Sequence, residues 1–310
     1  MPQTHEVSHD ILVDAPAQTV FRLVADVTNW PLIFPPTVHV ERADLDGAEE
    51  RIRIWATANG EAKTWTSRRR LAPERLRVDF RQEVSQPPVG GMGGAWIMQP
   101  LGERQCRVVL LHDYHAVDDA PDKLAWIAQA VDRNSGAELA ALKATAERAD
   151  APDDLLLTFD DTVPIRGSAK DVYDFLNEAQ HWSERLPHVS RVSLREEVEG
   201  LQILEMDTRT KDGSVHTTRS VRACLPYRQI VYKQVVLPGL MTLHTGHWLI
   251  EETDDGVRVT SRHTVRINEA NVTRILGPAA GVAEAKTFVR NALSTNSLAT
   301  LGHAKEYAEG

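Results

Sequence analysis

The sequence predicts an α+β fold built twice: two tandem domains, each a curved antiparallel sheet wrapped around a long C-terminal helix, with a cavity left between sheet and helix. Three observations predict it. The chain matches itself at an offset near 152 residues (171 − 19). Each half presents a strand, two short helices, six strands and one long helix in the same order. Each half also carries an arginine on the inward face of a strand, which is costly to bury unless it is paired or faces a wet pocket.

The self-match sets the domain count. "TVFRLVADVTNWPLIFP" (19–35) superimposes without gaps on "DVYDFLNEAQHWSERLP" (171–187), so that Trp30 falls on Trp182 and Phe21 on Tyr173. "WTSRRRLAP" (65–73) falls on "TRSVRACLP" (218–226), which places Ser67 on Ser220, Arg69 on Arg222 and Trp65 on Thr218. Trp96 then matches Trp248, His112 matches His263, and Asn134 matches Asn296. A period near 150 residues is a duplicated domain, since solenoid repeats run about 20–50 residues. A chain of 310 residues is also long for one core. The boundary belongs in "ERADAPDD" (147–154), a polar stretch with a proline, giving domains 1–149 and 150–310.

Within the first half, "HEVSHDILVDA" alternates as a strand does. Pro16 then opens an apolar-periodic helix where its missing N–H does no harm. A helical turn near "NWPLIFPP" follows. Strands are expected around 37–46, 51–58, 62–71, 75–84, 94–100 and 105–117, joined by turn signals "LDG", "ANG" and "LGE". A helix from about Pro121 to Arg148 ends the unit. The glycine-rich "PPVGGMGGAW" (87–96) lacks the Lys-Ser/Thr of a phosphate loop and is expected to be a flexible loop beside the cavity.

Alternation fixes which side chains share a face. In "TWTSRRRL" (64–71), Trp65, Ser67 and Arg69 point one way and Thr64, Thr66, Arg68 and Arg70 the other. The last strand of the second half settles which way is in. Val257, Val259, Ser261, His263, Val265 and Ile267 form its apolar side, so His263 and the matching His112 point inward with Tyr114, while Asp113 and His115 face water.

Composition removes several function classes. The net charge of −9 argues against a general nucleic-acid binder, whose phosphate contacts need a basic face. No window approaches the ~20 consecutive apolar residues of a membrane span. "MPQTHEVSHD" lacks the basic and apolar regions of a signal peptide, so a cytoplasmic protein is expected. Cys106 and Cys224 are too few for a disulfide framework or a metal cluster. His244 and His247, three apart in a strand, point to opposite faces and bind no metal together. Ser67 and Ser220 sit on strands and not in a G-x-S-x-G elbow, and no paired carboxylates are evident.

The W-x-S-x-R strand followed by Pro, the Trp-Pro after the first helix, the inward His and the Asn-Ser of the long helix resemble the aromatase/cyclases of bacterial type II polyketide synthases, members of the Bet v 1/START-like helix-grip superfamily. The resemblance covers both halves and so points to the di-domain subclass. It implies an intramolecular aldol closure, with loss of water, of a poly-β-ketone held on an acyl carrier protein. It further implies a C9-reduced chain closed between C7 and C12, and no cofactor. In that scheme Arg69 stabilises the enolate oxygen, His112 moves the proton, and Ser67 and Tyr114 orient the chain. Trp30, Phe34, Trp65, Trp96 and Asn134 bind the substrate, and Arg68 and Arg70 face the carrier protein. The second copy keeps Arg222, His263 and Ser220, with Trp182, Trp248 and Asn296 as its binding residues, but loses the indole at Thr218 and has Val265 where the first has Tyr114. It gains Tyr227, His244 and His247 near its wall. A tandem module that only binds or carries an apolar metabolite, with Arg69 anchoring a ligand carboxylate, remains open at this point, as does a scaffold within the synthase.

Overall fold

The computed structural model describes residues 2–44, 48–149, 153–209, 213 and 215–310. The expected "LDG" turn (45–47) and the middle of the 147–154 boundary lie outside the described residues. Contacts divide the chain into two compact units, Met1–Pro152 and Asp153–Gly310.

In the first unit, β1 (His5–Val13) is followed by α1 (Ala17–Ala25), a single 3-10 turn and α2 (Trp30–Ile33). Six strands come next: β2 (Thr37–Asp44), β3 (Glu49–Ala58), β4 (Glu61–Ala72), β5 (Arg77–Val84), β6 (Val89–Pro100) and β7 (Cys106–Ala116). Helix α3 (Pro121–Ala146) closes the unit. The seven strands form one antiparallel sheet in the order β1-β7-β6-β5-β4-β3-β2. A meander of this kind has one face to cover, and α3 covers it by packing on β1, β7, α1 and α2. Pro121 sits at the first turn of α3 and Pro31 at that of α2, positions that need no N–H.

The second unit repeats this plan. It runs β8 (Leu156–Ile165), α4 (Ala169–Asn177), α5 (Trp182–Arg185), β9 (Val189–Val198), β10 (Leu201–Arg209), β11 (Val215–Leu225), β12 (Gln229–Val236), β13 (Met241–Thr253) and β14 (Gly256–Ile267). Its sheet order is β8-β14-β13-β12-β11-β10-β9. One element departs from the expected order: α6 (Glu269–Leu276) precedes the long α7 (Val282–Glu309). The break between them falls at Gly277, whose φ of 100° ends α6, followed by Pro278. Even the irregularities repeat. The β4–β5 register slips between Thr66 and Ser67, and the β11–β12 register slips between Arg219 and Ser220, the matching place.

The glycine-rich segment corrects one expectation. It is not a flexible loop; β6 begins at Val89, and Gly90, Gly91, Gly93 and Gly94 are strand residues. Their missing side chains make room. A Cβ on Gly94 would stand 1.8 Å from the Leu111 carbonyl oxygen and 2.8 Å from the Phe80 ring, so only glycine lets Phe80 lie across the strand. Gly246 does the same for Tyr232, whose hydroxyl would meet a Cβ at 2.7 Å. His115 lies half-buried over Gly90 and Gly91 instead of facing water freely. Thr64, on the face opposite Arg69, is buried, and the Gln86 side chain accepts its backbone N–H at 3.0 Å.

Gly94→Ala is expected to destabilise the first unit by about 1–3 kcal/mol or more, as overpacking does, whereas Gly102→Ala, with open space around it, should change little. Chemical denaturation of the two variants checks this, and equal stabilities would contradict the close-approach account.

Candidate functional site

The first unit encloses a cavity with two chambers between sheet and α3. The loop-side chamber holds about 720 Å³ of atom-free space, including its open mouth, and is bordered by Trp65, Gln86, Pro88, Trp126, Asn134 and Ser135 among others. The α2-side chamber holds about 610 Å³ and is bordered by Trp30, Phe34, Ser67, Arg69, Phe80 and Trp96 among others. Trp65, Gln82, Met92, His112 and Glu138 border both. Apolar walls with a few convergent polar groups are the usual make-up of a small-molecule site.

Local structure places the aromatic wall. The Phe34 and Trp96 rings stack at 5.8 Å, and Trp30 meets Phe34 edge-on at 5.3 Å. The Trp30 indole N–H donates to the Val24 carbonyl at 3.1 Å, which locks α2 against the end of α1.

Arg69 is 1% exposed and reaches the same helix end. Its Nη1 donates to the Val24 carbonyl at 3.1 Å and its Nη2 to the Ala25 carbonyl at 2.7 Å, two carbonyls at the C-terminal end of α1, where the helix dipole favours a cation. Its Nε donates to Glu50 Oε1 at 2.7 Å, Nη2 also pairs with that carboxylate, and the guanidinium lies over the Trp30 ring at 5.1 Å. Burial pulls the guanidinium pKa down while Glu50 opposes the pull. The sequence reading placed Arg69 inside but did not foresee Glu50, and most of the donors expected to meet a substrate oxygen are engaged by the protein.

The remaining first-unit candidates divide. Ser67 is buried beside Arg69 and borders the α2-side chamber. Asn134 borders the loop-side chamber and donates from Nδ2 to the Thr57 carbonyl at 3.0 Å. Tyr114 is not brought to the cavity: it sits in an apolar cluster with Ile127 and Val131, stacked on His5 at 6.2 Å. Arg68 faces outward as expected and is paired with Glu49 at 3.5 Å and Glu83 at 3.8 Å; Arg70 is exposed.

His112 faces the cavity against the edge of Phe80, 5.5 Å between ring centres, and its Nδ1 has no hydrogen-bond partner among the described residues. Burial pushes its pKa down to about 4, so the imidazole is neutral at pH 7. Across the cavity stands Glu138 of α3, which sequence reasoning missed. Its carboxyl has no ion-pair or hydrogen-bond partner among the described residues, and desolvation pushes its pKa up to about 8. The signal was present: Ile127, Val131, Ser135, Glu138 and Leu142 recur at helical spacing on one face, and the others on it are buried. Trp126 and Gln82 were also missed.

The second unit keeps the clamp and surrounds its inward histidine with polar side chains. Arg222 is buried, its Nη2 donates to the Leu176 carbonyl at 2.5 Å, and it lies over Trp182 at 5.3 Å, repeating the tie of Arg69 to Val24 and Trp30. Gln202 stands opposite Arg222 where Glu50 stands opposite Arg69, so the counterion is gone and Arg222 Nη1 has no partner among the described residues. Burial lowers the Arg222 pKa. Around His263 the cavity-facing residues of the first unit are exchanged: Phe80, Met92 and Glu138 correspond to Tyr232, His244 and Thr300. His263 Nδ1 is 2.9 Å from both the Tyr232 hydroxyl and His244 Nε2, and its Nε2 is 2.7 Å from Ser297 Oγ and 3.2 Å from Ser261 Oγ. Trp248 packs in the same core; Ser220 and Asn296 are half-buried. Tyr227 is in a turn and 49% exposed, away from any wall, and His247 points to the face opposite His244. Among the described residues no group of His, Cys, Asp and Glu is arranged to hold a metal.

A helix-grip fold built twice, with a polar-lined cavity in its first unit, defines a tandem helix-grip protein. Residues 4–147 and 165–292 match two models described as polyketide cyclase / dehydrase and lipid transport. The chain is 53% identical to the granaticin polyketide synthase bifunctional cyclase/dehydratase of Streptomyces virginiae, over 96% of this chain and 97% of that one. It is 47% identical to the actinorhodin polyketide synthase bifunctional cyclase/dehydratase of Streptomyces coelicolor, over 98% and 96%. Among solved structures it is similar to the di-domain ARO/CYC BexL of the BE-7585A pathway (60% identity, TM-score 0.86, 99% of each chain) and to the di-domain ARO/CYC StfQ of the steffimycin pathway (36%, 0.85, 98% of each). The chain belongs to the family of di-domain polyketide aromatase/cyclases.

Two outcomes are expected. Arg69→Met takes from the Glu50 carboxylate its nearest cation, leaving Arg42 at 3.8 Å, and should cost about 3 kcal/mol, the low end of the range for breaking a buried pair, whereas Arg222→Met strands no carboxylate and should cost less; denaturant unfolding with hydrogen exchange on each unit reads both. Stability should also fall as pH drops from about 6.5 to about 4. The unfolded imidazoles take up protons from near 6.5, while His112 and His263 in the fold resist until about 4 and buried His244 resists as well; together they outweigh the opposite contribution of Glu138, which keeps its proton in the fold up to about 8, so the unfolded state binds more protons in that window. A flat melting temperature from pH 7 to 4.5 would contradict this.

Proposed function

We propose that the chain is a cofactor-independent polyketide cyclase/dehydratase that works in the cavity of its first unit. The substrate is a poly-β-ketone thioester on an acyl carrier protein, reduced at C9, and the first ring closes between C7 and C12. Full-length similarity to two-domain relatives named as cyclase/dehydratases supports the reaction class. The observation that carries the choice of unit is the contrast between the histidines. His112 borders an open cavity and its Nδ1 has no hydrogen-bond partner among the described residues, whereas His263 is surrounded by four protein hydrogen-bond partners.

The chemistry suits these residues. A methylene between two carbonyls is acidic enough for a neutral imidazole to take its proton, and the enolate carbon then attacks a carbonyl folded close to it. Trp30, Phe34, Trp65 and Trp96 form the wall that folds the flexible chain, and holding two reacting carbons together removes much of the entropic barrier. Arg69 Nη1 makes one hydrogen bond, to Val24, so its second N–H is available to an enolate oxygen beside Ser67. Asn134 and Gln86 orient the chain in the loop-side chamber. The work is done in the cytoplasm with other synthase components, and exposed Arg70 is a contact for the acidic carrier protein. A purely apolar cargo gives no use for the uncompensated His112 and Glu138 in the cavity, which disfavours the carrier reading.

In a reconstituted synthase, omission of the protein should shift the products away from the correctly closed aromatic ring. His112→Phe should lower that product at least about 100-fold, in keeping with loss of a proton-transfer group, while His263→Phe, checked for folding, should retain most of it. The reverse pattern would move the working site to the second unit.

A further inference from the structure

We propose that His9 and Asp132 form a proton relay behind the cavity: they carry to solvent the proton that His112 takes from the substrate, by a route the bound substrate does not block. The inference rests on the cyclase reading of this cavity, with His112 as its base, and adds two positioning residues that touch no ligand.

Register carries the argument. His9 lies on the inward face of β1 with Val7 and Ile11, and β1 pairs with β7 so that His9 stands opposite Leu110 and Val7 opposite His112. His9 and His112 are therefore diagonal neighbours on one face of the sheet, a separation that ring side chains can span. His9 Nε2 meets Asp132 Oδ1 of α3 at 3.1 Å, at the surface, where the Asp132 side chain is 83% exposed. An ionised carboxylate only accepts, so Nε2 carries the proton and Nδ1 is left as a bare acceptor. That Nδ1 is buried and has no hydrogen-bond partner among the described residues. The same holds for His112 Nδ1 and for Ser135 Oγ, one turn along α3 from Asp132 and on the wall of the loop-side chamber. Buried polar atoms are normally bonded; a group that passes protons on must keep a valence open. His112, Ser135, His9 and Asp132 make a row from the cavity to the surface, and His9 and Asp132 border neither chamber.

The second unit separates this role from a structural one. By the self-match His9 corresponds to Asp161, Asp132 to Ser294 and Ser135 to Ser297. The tie between first strand and long helix is kept there, since Ser294 Oγ donates to Asp161 Oδ1 at 3.0 Å, but it contains no imidazole. Ser297 instead closes on His263 at 2.7 Å, and Phe159, in the place of Val7, stacks on that ring at 5.1 Å. Fastening the strand to the helix thus needs no histidine, and the histidine stands in the unit whose inward imidazole borders the cavity.

The step balances. His112 takes a methylene proton, the C–H electron pair becomes the enolate and then the new carbon–carbon bond, and the attacked carbonyl oxygen takes a proton from solvent. The His112 imidazolium passes its proton by way of Ser135 and bridging water to His9 Nδ1, and His9 releases the Nε2 proton to solvent beside Asp132. No proton is gained or lost overall. Burial, and after it the neighbouring His9, hold the His112 pKa down at about 4, so handing the proton to solvent is downhill at neutral pH. The titratable groups facing His9 are His5 along β1, His112 on β7 and Asp132 on α3; Lys63, Arg69 and Glu138 border the cavity beyond His112, and Asp113 is paired with Arg81 on the outer face.

The test is His9→Gln in the full-length protein, assayed for closed product in a reconstituted synthase over a series of imidazole concentrations. The glutamine amide can still donate to Asp132 and hold β1 to α3, but it passes no proton through. The expected result is a rate lowered about 100-fold in a buffer without imidazole, the low end for a positioned proton-transfer group, and restored in proportion to added imidazole. Binding of a polyketide mimic should be unchanged, and the unaltered protein should not respond to the added base. Asp132→Asn, at an exposed position, should lower the rate less and be rescued in the same way, and it decides the question if His9→Gln does not fold. An unaltered rate in folded His9→Gln, or a lowered rate that imidazole does not restore, would overturn the relay. Failure of the unaltered protein to change the product mixture would overturn the functional reading itself, a distinct result.

Discussion

The tie between a buried strand arginine and the end of the first helix governs the architecture of both units. Arg69 joins β4 to the last carbonyls of α1, and Arg222 joins β11 to α4 in the same way. A cation at a helix C-terminus satisfies orphan carbonyls and meets the favourable end of the dipole, and the tryptophan of the following short helix lies against the guanidinium in each unit. The tie holds α1 and α2 over the open part of the sheet, which closes the α2 side of the cavity. The inward arginine is therefore first a structural device, and any contact with substrate uses what that device leaves over.

From this shared frame the units diverge through a few exchanges. Glu50 gives way to Gln202, which turns its amide to Glu196 at 2.8 Å and leaves Arg222 Nη1 without a hydrogen-bond partner among the described residues. Phe80, Met92 and Glu138 give way to Tyr232, His244 and Thr300; Tyr232 and His244 close on His263, while the Thr300 hydroxyl bonds the Asn296 carbonyl of its own helix. A fully connected buried network is rigid and leaves little free capacity. An interior whose titratable groups lack partners is the opposite case, and perturbed, unpaired groups in a cleft mark functional sites. Duplication has thus produced one unit whose inward histidine borders a cavity and one whose inward histidine is bonded to protein groups.

Much of this was legible in the sequence. The duplication, the order of elements and the inward Arg69 and His112 followed from alternation and self-alignment, and the aromatic wall from the resemblance to aromatase/cyclases. What escaped was non-local or masked by composition. Glu50 lies 19 residues from Arg69 and becomes its neighbour only through β3–β4 pairing. Glycines read as flexibility proved to be clearance for Phe80 and His115 across a regular strand. Tyr114 shares a strand face with His112, yet the curve of the sheet carries it under the first turns of α3, beyond the cavity. Glu138 was hidden in a helix read as core, because one carboxyl among alanines and leucines looks like a surface residue until its face is counted.

The most direct measurement of the central claim is a crystal structure of the full-length protein with a stable, oxygen-rich polyketide mimic bound. The account predicts the mimic in the first unit between Trp65 and Glu138, with His112 within hydrogen-bond reach of one of its oxygens. Ligand seated in the second unit, with the contacts of His263 to Tyr232, His244 and Ser297 opened to admit it, would contradict the account.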